Sequence, residues 1–186
     1  MTTATLNNLS TLAGDYTLDH THTRIGFVAR HAMVTKVRGS FNEFSGTAHI
    51  DEDVTKSSVK LAINVDSIDT RNADRDGHLR TNDFLDIENH PQISFESTSV
   101  RQIDDLTVEV IGDLTIKGVS KPVAIEFEYQ GSATDPFGNQ RVGFEGSVVI
   151  NRKDWGITWN AALETGGVLV SDKITLEFEI SAVKNA

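Results

Sequence analysis

The stretch Ile93-Ser-Phe-Glu-Ser-Thr-Ser-Val-Arg-Gln-Ile-Asp-Asp-Leu-Thr-Val-Glu-Val-Ile-Gly-Asp-Leu-Thr-Ile-Lys117 decides the fold. Apolar side chains recur at every second position through Leu106, Val108, Val110, Leu114 and Ile116, with Thr107, Glu109, Asp113 and Lys117 on the other parity. Successive side chains of a strand point to opposite faces, so this period of two marks a strand with one buried face. Ile93 and Phe95 start the same pattern on the far side of Asp104-Asp105, which reads as a two-residue hairpin loop. That loop sets Phe95 opposite Leu114, Ser97 opposite Gly112 and Ile103 opposite Leu106, so apolar meets apolar along the pair.

The alternation extends in both directions. Val123, Ile125, Phe127 and Tyr129 form one set, Val142, Phe144, Gly146, Val148 and Ile150 another, and Ile174, Leu176, Phe178 and Ile180 the last. Upstream lie Val59, Leu61, Ile63 and Val65, and before them Ile25, Phe27 and Ala29; the stretch from Phe41 to Ile50 is strand-like but less regular. Turn signals at Lys117–Ser120 and Ser132–Arg141 keep one face inward from strand to strand. Such a succession is an antiparallel meander, and we expect an all-β fold of eight strands. A closed barrel is preferred to a sandwich because closure leaves no exposed strand edge. One stretch breaks the pattern. Between residues 72 and 85, Asn72 caps a short helical segment whose buried side is Leu79, Phe84 and Leu85, with Asp74/His78 and Arg71/Arg75 at i, i+4 spacing.

The 186 residues make one domain, expected over 14–186 behind a disordered arm of residues 1–13. Seventeen Lys and Arg against 27 Asp and Glu leave a formal charge of −10, which argues against nucleic acid and against an anionic membrane surface as partners. Cysteine is absent, which removes disulfides and thiolate chemistry. The first ten residues carry neither a basic start nor a long apolar run, and no apolar stretch reaches membrane-spanning length, so a soluble cytoplasmic protein is expected.

Chemistry-bearing patterns are sparse. His20 and His22 share one strand face, a usable spacing for a metal with His31 or His49 as a third nitrogen, but hydrogen-bonded histidines at a strand start are the preferred reading. Asp66, Asp69, Asp74 and Asp76 are read as capping and pairing residues around Arg71 and Arg75 rather than as acid–base carboxylates. No nucleophile elbow, phosphate loop or dinucleotide fingerprint is present, so neither a catalytic residue nor a metal or cofactor is assigned. The interior is more telling. Gly112 and Gly146 sit on the inward parity, where a solidly packed barrel favours branched side chains, and they are read as leaving room for a guest. Phe27, Phe41, Phe44, Phe84, Phe95, Phe127, Phe144, Trp155 and Trp159 supply an aromatic lining.

Several motifs resemble the YceI-like family: Asp19-His-Thr-His-Thr-Arg-Ile-Gly-Phe-Val-Ala-Arg-His31, Val34-Thr-Lys-Val-Arg-Gly-Ser-Phe41, Ile68-Asp-Thr-Arg-Asn-Ala-Asp-Arg-Asp-Gly-His-Leu79, Gly112-Asp-Leu-Thr-Ile-Lys-Gly-Val-Ser-Lys-Pro-Val123, Ile150-Asn-Arg-Lys-Asp-Trp-Gly-Ile157 and Val170-Ser-Asp-Lys-Ile-Thr-Leu-Glu-Phe-Glu-Ile180. The resemblance implies a lipocalin-like eight-stranded barrel around a long apolar channel, non-catalytic carriage of a polyisoprenoid or similar amphiphilic lipid, and a homodimer. Trp155 stands where the resemblance leads one to expect Phe, and its larger ring is expected to narrow the channel. The expected lumen set is Phe27, Ala29, Met33, Phe41, Phe44, Ile63, Phe84, Phe95, Gly112, Leu114, Phe127, Phe144, Gly146 and Trp155, with His31, Lys36 and Arg38 meeting the head group. Two alternatives stand beside this reading: an enzyme on a small apolar substrate with a His-bound metal, and a packed structural or stress-response barrel.

Overall fold

The structure is a computed structural model that describes Leu9 and residues 11–186. Eleven strand segments form one antiparallel sheet: β1 (Gly14–Leu18), β2 (Arg24–His31), β3 (Thr35–Phe41), β4 (Phe44–Ile50), β5 (Ser58–Asn64), β6 (Ile68–Asp69), β7 (Gln92–Gln102), β8 (Thr107–Ile116), β9 (Val119–Thr134), β10 (Gln140–Asn151) and β11 (Lys173–Lys184). Short interruptions divide the first three staves into β1 with β2, β3 with β4, and β5 with β6, so the eleven segments build an eight-stranded barrel. The last stave closes it. β11 pairs with β2 through Thr175–Glu179 and with β1 through Ala182–Lys184. Closure satisfies strand edges that an open sheet leaves exposed.

The register at the centre is the one the alternation demands: Phe95 faces Leu114 and Ser97 faces Gly112. The turn differs. Val100 faces Val110, and the Ile103 N–H donates to the Thr107 carbonyl, so the loop is Asp104–Leu106 rather than Asp104-Asp105. One extra residue in β7, Thr98, absorbs the difference as a bulge. The longer loop is favoured because the Asp104 carboxylate accepts the N–H groups of both Leu106 and Thr107, and it leaves Ile103 and Leu106 exposed instead of paired. β9 also runs on to Thr134, so the next loop is 135–139 rather than 132–141. Lys117-Gly118 forms the tight turn between β8 and β9, both with positive φ.

The break in the alternation is helix α1 (Ala73–Leu79), whose N-cap Asn72 accepts the Arg75 N–H. Phe84 is buried beside it, with Leu79 and Leu85 packed on the core. The expected Asp–Arg pairs are replaced by others. Asp76 is buried and accepts both the N–H and the hydroxyl of Thr70. Arg75 donates to the hydroxyl and the carbonyl of the same threonine, Asp66 pairs with Arg80, and His78 pairs with Asp83 rather than Asp74.

Of residues 1–13, numbers 1–8 and 10 lie outside the described residues. Leu9 and Leu12 are buried against Tyr16, Val142 and Ala182 at one end of the barrel, and the Tyr16 hydroxyl donates to the Leu12 carbonyl at 2.7 Å. No helix among the described residues is long and apolar enough to cross a membrane.

Candidate functional site

The inward parity of the staves encloses an apolar cavity of about 300 Å³. That is the lower end of the range for small-molecule sites. Its wall along β10 runs from Val142 to Ile150 and along β11 from Ile174 to Ala182. At ~3.3 Å per residue each run is roughly 26 Å of strand, or about 20 Å along a barrel axis to which strands tilt by ~40°. Among the described residues, polar side chains touch the wall only at His49, Ser57, Ser58 and Arg152, apart from the Tyr16 ring, whose hydroxyl is already bonded. The barrel is therefore hollow, and the space is oily and longer than it is wide.

Side chains flank each end. At one end stand Leu9, Leu12 and Tyr16. At the other, α1 and the segment 156–171 fold across the opening, held by an aromatic cluster in which His78 lies 5.0 Å from Phe84 and 4.7 Å from Trp159, with Phe84 and Trp159 5.3 Å apart. Trp155, 3 % exposed, fastens its indole N–H to the Leu114 carbonyl at 2.9 Å.

Arg152 organises this second end and escaped the sequence reading. It is 4 % exposed, and its guanidinium donates to the carbonyls of Ser171 (2.9 Å), Ile157 (2.8 Å), Trp159 (2.9 Å) and Val170 (3.4 Å). One planar fork thereby gathers both limbs of the 157–171 loop. Burial pushes the guanidinium below its ordinary basicity; Asp172, 3.7 Å away and half exposed, opposes that shift.

Of the expected lumen residues, Phe27, Ala29, Phe41, Ile63, Phe84, Phe95, Leu114, Phe127, Phe144 and Trp155 line the cavity. Four do not. Met33 sits exposed at the tip of the β2–β3 hairpin, and Phe44 packs on the core without reaching the wall. Gly112 and Gly146 leave no room. A Cβ at Gly112 would lie 2.5 Å from the Phe95 ring and 2.6 Å from the Glu96 carbonyl, and one at Gly146 would lie 2.6 Å from the Glu126 carbonyl and 2.8 Å from the Phe127 ring. The ring of Phe27 covers Gly39, its direct partner across the strands, in the same way. The glycines accept neighbouring aromatic rings laid flat on the sheet, and those rings, not the glycines, face the cavity.

The three head-group candidates also fall outside. Lys36 and Arg38 pair with Arg30 and Val28, on the parity opposite Phe27, Ala29 and Phe41, so they project from the outer surface. His31 is exposed at the hairpin end, bridged to Val170. As for a metal, His22 is bound to Asp19 at 2.7 Å, His49 lies between Asp15 and Asp51, and no group of three or more His, Asp or Glu among the described residues is placed to hold an ion.

Comparison with known proteins gives a consistent picture. The family profile described as a YceI-like domain matches residues 16–182. A UPF0312 protein of Pseudomonas paraeruginosa is 41 % identical over 149 residues, covering 78 % of each chain. Among solved structures, the Campylobacter jejuni YCEI protein superposes with a TM-score of 0.72 at 28 % identity, over 84 % of this chain and 90 % of that one. A polyisoprenoid binding domain from Saccharophagus degradans, at 15 % identity, shares the fold with a TM-score of 0.70, over 91 % of this chain and 98 % of that one.

Proposed function

Since the chain belongs to the YceI-like family, we propose that it is a non-catalytic carrier that holds a polyisoprenoid or similar long-chain amphiphile along the barrel axis. The observation that carries this reading is the cavity itself: about 300 Å³, bounded by all eight staves, and almost devoid of hydrogen-bonding partners. An active site needs converging polar groups, whereas a hydrocarbon tail needs only dry length. Each buried CH₂ contributes about 0.8 kcal/mol, so ten give roughly 8 kcal/mol before ordering costs. The polyisoprenoid-binding designation of the Saccharophagus degradans domain supports the chemical class. The guest's polar end has no partner in the middle of the wall. Both nitrogens of His49 are taken by Asp15 and Asp51, which leaves Ser57 and Ser58, at the start of β5, as the lining residues whose hydroxyls can meet it.

Uptake of a fluorescent prenyl probe dispersed from ethanol tests the proposal. Leu176, which faces Val148 on one side and Phe27 on the other, lies on the wall between Ile174 and Phe178. Leu176→Trp fills that point at an overpacking cost of about 1–3 kcal/mol. It is expected to cut uptake at least tenfold while the protein stays folded. Saturable uptake unchanged by Leu176→Trp would place the probe elsewhere and overturn the proposal.

A further inference from the structure

The charge of −10 is unevenly spread. Residues 20–42 hold four of the 17 Lys and Arg and none of the 27 Asp and Glu. Three of those cations, Arg30, Lys36 and Arg38, are exposed on the outer face of the β2–β3 hairpin; none forms an ion pair among the described residues, the Arg30 guanidinium donates to the Val34 carbonyl, and Arg38 borders an outer-face hollow shared with Glu126, Glu128, Glu145, Glu177 and Glu179. Arg30 stands directly across from Lys36. Like charges in that position cost stability unless something outside the chain meets them.

The tip between these strands is apolar and conformationally unfavourable. Met33 is 64 % and Val34 73 % exposed, and Val168 from the adjoining loop is exposed beside them, with the Met33 sulfur resting on Gly167. Ala32 and Met33 both have positive φ (51° and 63°), in a turn closed by the Val34 N–H to the His31 carbonyl. Such a turn ordinarily takes Asn and Gly. Folding alone thus selects neither the residues of the turn, nor their exposure, nor the facing cations. The same two strands supply Phe27, Ala29 and Phe41 to the cavity wall, and Val170, bridged to His31, lines it as well.

We propose that the β2–β3 hairpin docks the barrel onto an anionic lipid bilayer, with Met33, Val34 and Val168 entering the interface while Arg30 and Lys36 meet the head groups. Apolar tip residues flanked by Arg30 and Lys36, cations without an ion-pair partner among the described residues, match the two layers of such a surface, and each cation near it strengthens the attachment. The negative remainder of the chain is repelled, so the molecule is oriented with this end of its cavity toward the bilayer. The inference goes beyond lipid carriage and is tested separately from it.

The test is flotation of the full chain with phosphatidylglycerol–phosphatidylcholine vesicles and with phosphatidylcholine vesicles alone. Flotation is expected only with the anionic vesicles, weakening as salt rises. Lys36→Gln and Arg30→Gln, each removing one positive charge, are each expected to lower the partition coefficient about fivefold. Met33→Gly combined with Val34→Ser abolishes flotation without lowering the melting temperature, because glycine suits the positive φ. All these variants take up an ethanol-dispersed prenyl probe like the parent. Equal binding to neutral vesicles, absence of flotation, or variants that float like the parent overturn the proposal. So does a dimer that forms without lipid and is broken by the Met33 substitution, or loss of ethanol-delivered uptake in the tip variants, since either assigns the tip another role.

Discussion

Replacing Arg152 by Met removes the fork that holds the 157–171 loop over one end of the cavity while keeping much of the side-chain volume. Three of its bonds, to Ser171, Ile157 and Trp159, are 2.8–2.9 Å long, and the fourth, to Val170, is 3.4 Å. At about 1.5–3 kcal/mol for a bond from a charged donor, the three short ones sum to roughly 5–9 kcal/mol. Removing a buried guanidinium from its cage also removes a desolvation cost of several kcal/mol, and some carbonyls on the loop regain water. A net loss of about 3–5 kcal/mol results, the range for breaking a buried charged group away from its partners. In a chain of 186 residues this lowers the melting temperature by roughly 6–20 °C. Urea unfolding followed by circular dichroism gives the free energy, and hydrogen exchange locates it: the amides of Val170, bonded to the Asn160 side chain, and of Leu169, bonded to the Ala161 carbonyl, lose protection first. Asp172→Asn, which touches only the partly solvated partner, costs less than about 1 kcal/mol. A loss below 1 kcal/mol for Arg152→Met, or unchanged exchange across 157–171, refutes the assignment of Arg152 as the organiser of this end.

Alanine at Gly112 or Gly146 destabilises by about 1–3 kcal/mol, since the new methyl meets a backbone carbonyl as well as an aromatic ring; a neutral urea midpoint for both variants contradicts the account of covered glycines. The Asp19 carboxyl is held far below the usual carboxylate range by the Thr21 hydroxyl, and further by His22 and Arg141. A depressed acid contributes stability that is present above the unfolded value near pH ~4 and lost as pH falls, so melts between neutral and acid pH steepen in the parent and flatten in Asp19→Asn. His49 titrates in the opposite sense. Bonds to Asp15 first and Asp51 second raise its pKa, so its contribution is complete below about 6.5 and fades as pH rises through the raised value; His49→Gln removes that alkaline decline, and identical pH profiles in the two proteins exclude the coupling.

Much of the architecture was legible because a one-residue slip turns every side chain of a strand to the wrong face. That constraint put Phe95 and Leu114 on one inward face and kept Val123, Phe144 and Ile174 on the inside. The cap at Asn72 was equally readable, since only the helix start needs a side chain to accept the Arg75 N–H. The turn at Asp104 was not, because bulge and loop length compensate each other and leave the central register unchanged. Nor were the inward glycines, whose meaning depends on how Phe95 and Phe127 rotate about their side-chain bonds. The outward direction of Lys36 and Arg38 was available from parity: they alternate with Val37, on the opposite face from the cavity-lining Phe41. Arg152 had a weaker signal, a basic residue directly after the end of β10 and two positions past the inward Ile150, and its carbonyl partners lie five to nineteen positions away in an irregular loop.

The most direct trial is native mass spectrometry of the protein titrated with a prenyl chain, alongside quenching of Trp155, whose ring forms part of the cavity wall. Saturation at one guest per chain, with Trp155 emission changing in step, is what a hollow apolar barrel predicts. Spectra that remain at the mass of the bare chain across the titration, with Trp155 emission unaltered, contradict it.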